Sequence, residues 1–75
     1  MKEVYKTEQE DLVGFKFTSW RLKSTNKLHR ENGPALIYGD EYSGHYYYIN
    51  GLLHNEHGPA MIFEGNKRYF IRGKE

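Results

Sequence analysis

Leu28-His29-Arg30-Glu31-Asn32-Gly33-Pro34-Ala35-Leu36-Ile37-Tyr38 returns further along the chain as Leu53-His54-Asn55-Glu56-His57-Gly58-Pro59-Ala60-Met61-Ile62-Phe63. Seven of the eleven positions are identical, and three of the others exchange one residue for a related or similarly polar one. A repeated stretch of this kind marks a supersecondary unit that stacks on its neighbour. Within each copy the Gly-Pro-Ala step has a mechanical reading. Gly33 and Gly58 are expected to take a backbone conformation closed to other residues, Pro34 and Pro59 can only open a strand or lie at an edge, and the small Ala35 and Ala60 let the backbone pass close to a neighbour. The arch ahead of that step carries His29 and Glu31, then His54 and Glu56. Each carboxylate is expected to accept turn amides or an imidazole N–H, and each imidazole to pack on the proline or an aromatic ring.

Outward from the repeat, turn signals divide the chain into strands. Asn50-Gly51 lies between apolar runs and tolerates the positive φ of a type I′ turn, so Tyr46-Tyr47-Tyr48-Ile49 should fold back on Leu52-Leu53. Strands are expected at residues 35–38, 45–49, 60–63 and 68–72, with a loop over 39–44 and a turn at Glu64-Gly65-Asn66-Lys67. Residues 15–23 alternate, but Phe15 and Phe17 fall in one phase and Trp20 and Leu22 in the other. That requires a bulge or break near Thr18-Ser19, or a sheet covered on both faces. Thr7-Glu8-Gln9-Glu10 fits a capping box, which predicts a short helix or else an acidic arm. The expected architecture is all-β: a single antiparallel β-meander of about five strands over residues 15–75, preceded by an N-terminal arm or helix over residues 1–14.

Composition limits what such a domain can do. The chain has 75 residues and no cysteine, so its core is thin and neither disulfides nor thiolate metal sites supplement it. Its apolar runs are far too short for a membrane span and its first residues lack a signal-peptide core, so a cytoplasmic location with no membrane partner is expected. Net charge is +1, split between −2 over residues 1–13 (Lys2 and Lys6 against Glu3, Glu8, Glu10 and Asp11) and +3 over the rest. So mild a charge does not by itself imply nucleic acid.

The order Tyr-x-x-Asn-Gly-x-x-His-x-x-x-Gly-x-Ala, followed by an apolar strand, a glycine turn and Tyr, resembles a variant of the MORN repeat, whose units are β-hairpins stacked into one sheet. More closely, residues 20–73 are similar to small phage and bacterial proteins with tandem Asn-Gly-x-Leu-His-Arg-x-x-Gly-Pro-Ala units. The resemblance implies an interaction module and not an enzyme. A phage origin would make it an inhibitor of a host defence system, of which anti-CRISPR proteins are one kind.

Two chemical readings stand beside that one. His29, Glu31, His54 and Glu56 could in principle form a two-His, two-carboxylate metal site, but units stacked side by side line equivalent residues along an edge without converging them. No metal and no cofactor is therefore expected, and no nucleophile, base and orienting group share a motif spacing. Binding is the stronger reading. Tyr46, Tyr48, Arg68 and Phe70 are predicted to share a face, with Tyr42 and Arg72 beside it. Such a face suits a protein hot spot, with a host protein as partner. The alternative is a stacking platform for a nucleotide or nucleic acid. The strand at residues 68–72 is expected as an open edge, and a symmetric homodimer through that edge or through the aromatic face is the expected assembly.

Overall fold

Because proline donates no backbone hydrogen bond, each Gly-Pro-Ala step can start a strand but not continue one, and both copies do so. The structure, a computed structural model, describes residues 3–10, 12, 14–39 and 44–75. Among the described residues it is all-β, with eight short strands instead of about five: β1 (Val4–Glu10), β2 (Lys16–Leu22), β3 (Leu36–Tyr38), β4 (His45–Tyr46), β5 (Tyr48–Ile49), β6 (Leu52–Leu53), β7 (Met61–Phe63) and β8 (Asn66–Arg68). Six of them form one antiparallel sheet in the order β1-β2-β3-β4-β7-β8, and β5 and β6 form a separate hairpin.

The two arches, residues 28–35 and 53–60, are built into this sheet by the same hydrogen bonds. Trp20 N–H donates to Ala35 C=O at 2.8 Å, and Tyr47 N–H to Ala60 C=O at 2.7 Å. The carbonyls of Trp20 and Tyr47 accept from His29 N–H and His54 N–H, each at 2.9 Å. Arg30 N–H reaches Tyr48 C=O at 3.1 Å, as Asn55 N–H reaches Phe70 C=O at 3.1 Å. Tyr48-Ile49-Asn50-Gly51 and Phe70-Ile71-Arg72-Gly73 thus hold equivalent places in the backbone pairing.

The glycines of the arches act differently from the sequence reading. Gly33 and Gly58 are not among the positive-φ residues. At Gly33 an added Cβ would lie 3.0 Å from the Arg30 guanidinium, which folds across it to donate to Pro34 C=O at 3.2 Å. Asn55 repeats the move with its amide, which donates to Pro59 C=O at 3.0 Å. In the first arch the glycine makes room for the side chain that satisfies the proline carbonyl, whereas at Gly58 an added Cβ would meet the Asn55 amide only at 3.7 Å, an ordinary contact.

Two further expectations are corrected, and the alternative left open for residues 15–23 is decided against a bulge. The segment read as a capping box is strand β1, paired with β2 through all seven residues from Val4↔Leu22 to Glu10↔Lys16, so residues 4–10 form a sheet edge and not a helix. β2 itself runs without a break, leaving Phe17 on one face and Trp20 and Leu22 on the other. The four-residue turn expected at residues 64–67 is a two-residue turn, with β8 starting at Asn66 and the chain leaving the sheet after Arg68. Residues 69–70 lie outside any strand, and a bridge Ile71↔Lys74 closes the next turn.

Among the described residues, positive φ at both central residues occurs in three turns: Asn50 and Gly51 (51° and 80°), Glu64 and Gly65 (49° and 82°), and Arg72 and Gly73 (52° and 81°). Glu64 and Arg72 both fit poorly, since an L side chain other than Asn or Asp meets its own backbone there at a cost of about 1 kcal/mol. Glu64→Asn is therefore expected to raise stability by about 0.5 to 1 kcal/mol, seen as a melting temperature a few degrees higher. A lower melting temperature would contradict the assigned turn.

The buried set is small: Leu22, Ala35, Ala60, Ser19, His29 and Gly44. Ser19 is accommodated because its hydroxyl pairs with that of Thr7 across β1 and β2 at 2.6 Å. The exposed surface, 5556 Å², exceeds the roughly 4800 Å² expected for a folded chain of this mass. The sheet consequently leaves apolar side chains of both faces only half-buried.

Candidate functional site: an aromatic sheet face

Residues opposed in an antiparallel ladder point to the same side. The registers Thr7↔Ser19, Ser19↔Leu36, Leu36↔Tyr46, Tyr46↔Met61 and Met61↔Arg68 therefore define one row crossing all six strands. Beside it, on the same face, Phe17 opposes Tyr38. Three rings follow one another there. Phe17 and Tyr38 are 5.1 Å apart and tilted by 32°, and Tyr38 meets Tyr46 edge to face at 6.4 Å and 83°. Both separations lie in the attractive range for aromatic pairs. All three rings are half-buried, in contact with one another, and Leu36 and Met61 flank Tyr46 in its row.

Burial first, and then the neighbouring phenols of Tyr38 and Tyr48, push the Tyr46 hydroxyl above its usual value of 10.0. Burial alone does the same at Tyr48. Both hydroxyls therefore stay neutral donors and acceptors at physiological pH.

Of the residues predicted to share a face, the structure brings some together and separates others. Tyr46 and Arg68 stand in one row with Met61 between them. Arg68 also lies 5.9 Å from the Phe70 ring, and its guanidinium bonds the Glu75 carboxylate. That bond holds the Glu75 carboxyl below, and Arg68 above, their ordinary ranges. Tyr48 lies past the break at Tyr47 on β5, outside the six-stranded sheet. Arg72 occupies the last turn, where it and Phe70 line an open cleft of about 840 Å³ with Asn55, Glu56, His57 and Tyr69. Tyr42 lies outside the described residues. The sequence reading did not include Phe17 and Tyr38, although the alternation Phe15-x-Phe17 and Leu36-x-Tyr38 already carried the signal.

The arch histidines have a defined role. His29 Nδ1 accepts the backbone N–H of Asn50 at 2.9 Å, and His54 Nδ1 accepts that of Arg72 at 2.9 Å. Each arch thus caps the positive-φ turn that follows it. An acceptor at Nδ1 puts the ring proton on Nε2, which lies 4.0 Å from Glu31 Oε2 in the first arch and 3.4 Å from Glu56 Oε1 in the second. Metal ligation through Nε2 would need the opposite tautomer and would set two N–H groups against each other at the turn. Among the described residues no three His, Cys, Asp or Glu side chains converge. Arg30, for its part, stacks on Trp20 with its guanidinium carbon 3.9 Å from the ring centre, while Lys6 lies 5.7 Å from the same ring.

No protein-family model, curated protein or solved structure matches the chain. Among the described residues, no helix is long and apolar enough to cross a membrane.

Proposed function

We propose that this chain is a non-enzymatic binding module, a phage-encoded inhibitor that acts in the host cytoplasm by docking on a host defence protein, with Phe17, Tyr38 and Tyr46 as its anchors. The supporting observation is the run of three contacting rings on one half-covered sheet face, with Arg68 in the row of Tyr46. Aromatic rings bring large area at small cost in side-chain entropy, which is why Tyr, Trp and Arg dominate protein hot spots. The phage and host assignment rests on the resemblance of residues 20–73 to MORN-like phage proteins. Engagement of Arg68 by Glu75 favours a protein partner over phosphates, because a guanidinium already paired has less charge to offer a nucleic-acid backbone.

Capture from a bacterial lysate followed by titration of the recovered protein tests the reading. Tyr46→Ala and Tyr38→Ala are each expected to weaken binding by about 2 kcal/mol or more, roughly thirtyfold, with the melting transition still cooperative. Binding of oligonucleotides that collapses by orders of magnitude between about 50 and 200 mM salt would instead establish a nucleic-acid module and overturn the proposal.

A further inference from the structure

The second row of the sheet, on the face opposite the aromatic one, runs Glu8, Thr18, Ile37, His45, Ile62, Lys67 through successive register pairs. It begins in an acid on edge strand β1 and ends in a base on edge strand β8, both exposed. The edges differ in charge as a whole. Residues 3–10 hold Glu3, Glu8 and Glu10 against Lys6, a sum of −2, whereas β8 holds Lys67 and Arg68, a sum of +2, and the segment beyond it adds Arg72 and Lys74 against Glu75.

We infer that the two edges are complementary halves of one self-association surface, through which β8 of one copy adds to β1 of a second copy, head to tail, with Lys67 beside Glu8. Three features support this, none of which depends on the aromatic face or its proposed partner. First, exposed strand edges carry unpaired backbone groups that pair with another strand unless something prevents it. Charge disfavours like edges: each β1 is net negative and each β8 net positive, although two β1 strands centred on Thr7 would set Lys6 across from Glu8. Only the mixed pairing joins edges of opposite net charge. Second, six strands that alternate in direction leave β1 and β8 antiparallel. A copy added in the same orientation therefore continues the alternation with the same face outward. Third, a straight continuation of the row sets Lys67 directly across from Glu8, where opposite charges on one face of a ladder attract.

The geometry also sets the strength and the form. Because β8 offers only three residues, the junction is small, and association is weak and dependent on concentration. Because the two surfaces differ, each copy keeps one free edge after pairing, so growth does not stop at two. This replaces the symmetric dimer through residues 68–72 expected from the sequence: the chain leaves the sheet after Arg68, and that edge repels its own kind.

Sedimentation of the purified chain from micromolar to near-millimolar concentration tests the inference, with circular dichroism as the check on folding. The mean mass is expected to rise without a plateau at twice the chain mass, and to fall back as salt goes from about 0.01 M to 1 M and the screening length shrinks from roughly 30 to 3 Å. Glu8→Lys alone and Lys67→Glu alone should each weaken association about tenfold. Glu8→Lys combined with Lys67→Glu should restore it, because the signs are exchanged and the attraction remains. A single-chain mass at every concentration overturns the inference, as does a plateau at two copies that is indifferent to Glu8→Lys, the mark of a symmetric β8 junction.

Discussion

Replacing His29 with Ala is expected to lower stability by about 3 kcal/mol, combining an Asn50 amide left without its acceptor and a cavity in place of the ring. A chain of 75 residues has roughly 4 to 11 kcal/mol in total, so the loss is a large share of what holds the fold. At roughly 4 to 8 °C per kcal/mol for a domain of this size, the melting temperature should fall by more than about 10 °C. Position explains the magnitude. His29 is 2% exposed and joins the first arch to the β5–β6 hairpin through the turn at Asn50. His54 makes the equivalent bond to Arg72 with its side chain 15% exposed, beside a turn that water reaches, so His54→Ala should cost only about 1 kcal/mol. The chemistry of the bond can be separated from the packing. Asn places a carbonyl oxygen near the position of Nδ1, while Gln places one near Nε2. His29→Asn should accordingly retain part of the stability that His29→Gln loses. Equal melting temperatures for these two variants, or a greater loss at His54 than at His29, would remove the turn-capping role.

How much of this was legible in the chain depends on whether a feature is set locally. The two arches were legible because the same residues recur at the same spacing, and the Asn50-Gly51 hairpin because few residue pairs accept positive φ at both centres. The Glu64-Gly65 turn hid behind a residue that rarely accepts that conformation, so the turn was read too long and β8 placed two residues late. β1 illustrates the opposite difficulty. Thr7-Glu8-Gln9-Glu10 has a sound helix-start pattern, but the free edge of β2 offers seven register partners, and pairing overrides a local preference worth about 1 kcal/mol. The aromatic face failed in part for a related reason. Placing Tyr46, Tyr48, Arg68 and Phe70 together assumed unbroken alternation, and Tyr47 breaks it, because its backbone N–H and C=O are held by Ala60 and His54 of the second arch. The ring that packs on Tyr46 is Tyr38 of β3, which in turn meets Phe17 of β2, both distant from it in sequence and brought there by the register.

Ala35→Leu is expected to cost about 3 kcal/mol or more, and Ala60→Leu a similar amount, for reasons that reach back to the repeat itself. Both alanines are fully buried, and each is gripped on two sides. Ala35 N–H donates to Tyr46 C=O at 2.8 Å while its carbonyl accepts from Trp20; Ala60 N–H donates to Arg68 C=O at 2.9 Å while its carbonyl accepts from Tyr47. A larger side chain at such a crossing must push strands apart against these bonds, and overpacking of this kind costs about 1 to 3 kcal/mol even where the backbone can yield. Shortening is milder. Ala35→Gly should cost only about 1 to 2 kcal/mol, from added freedom in the unfolded chain and one lost methyl. The double variant distinguishes this account from simple loss of propensity. Ala35 and Ala60 hold adjacent residues, Tyr46 and Tyr47, so a displacement caused by the first substitution relieves part of the crowding at the second. Denaturant titration of Ala35→Leu/Ala60→Leu should then show a loss smaller than the sum of the single losses by about 0.5 kcal/mol or more, where independent sites would add. Strict additivity, or a leucine tolerated as well as glycine at either position, would mean that the alanines of the repeat are not kept small by the close approach of the strands.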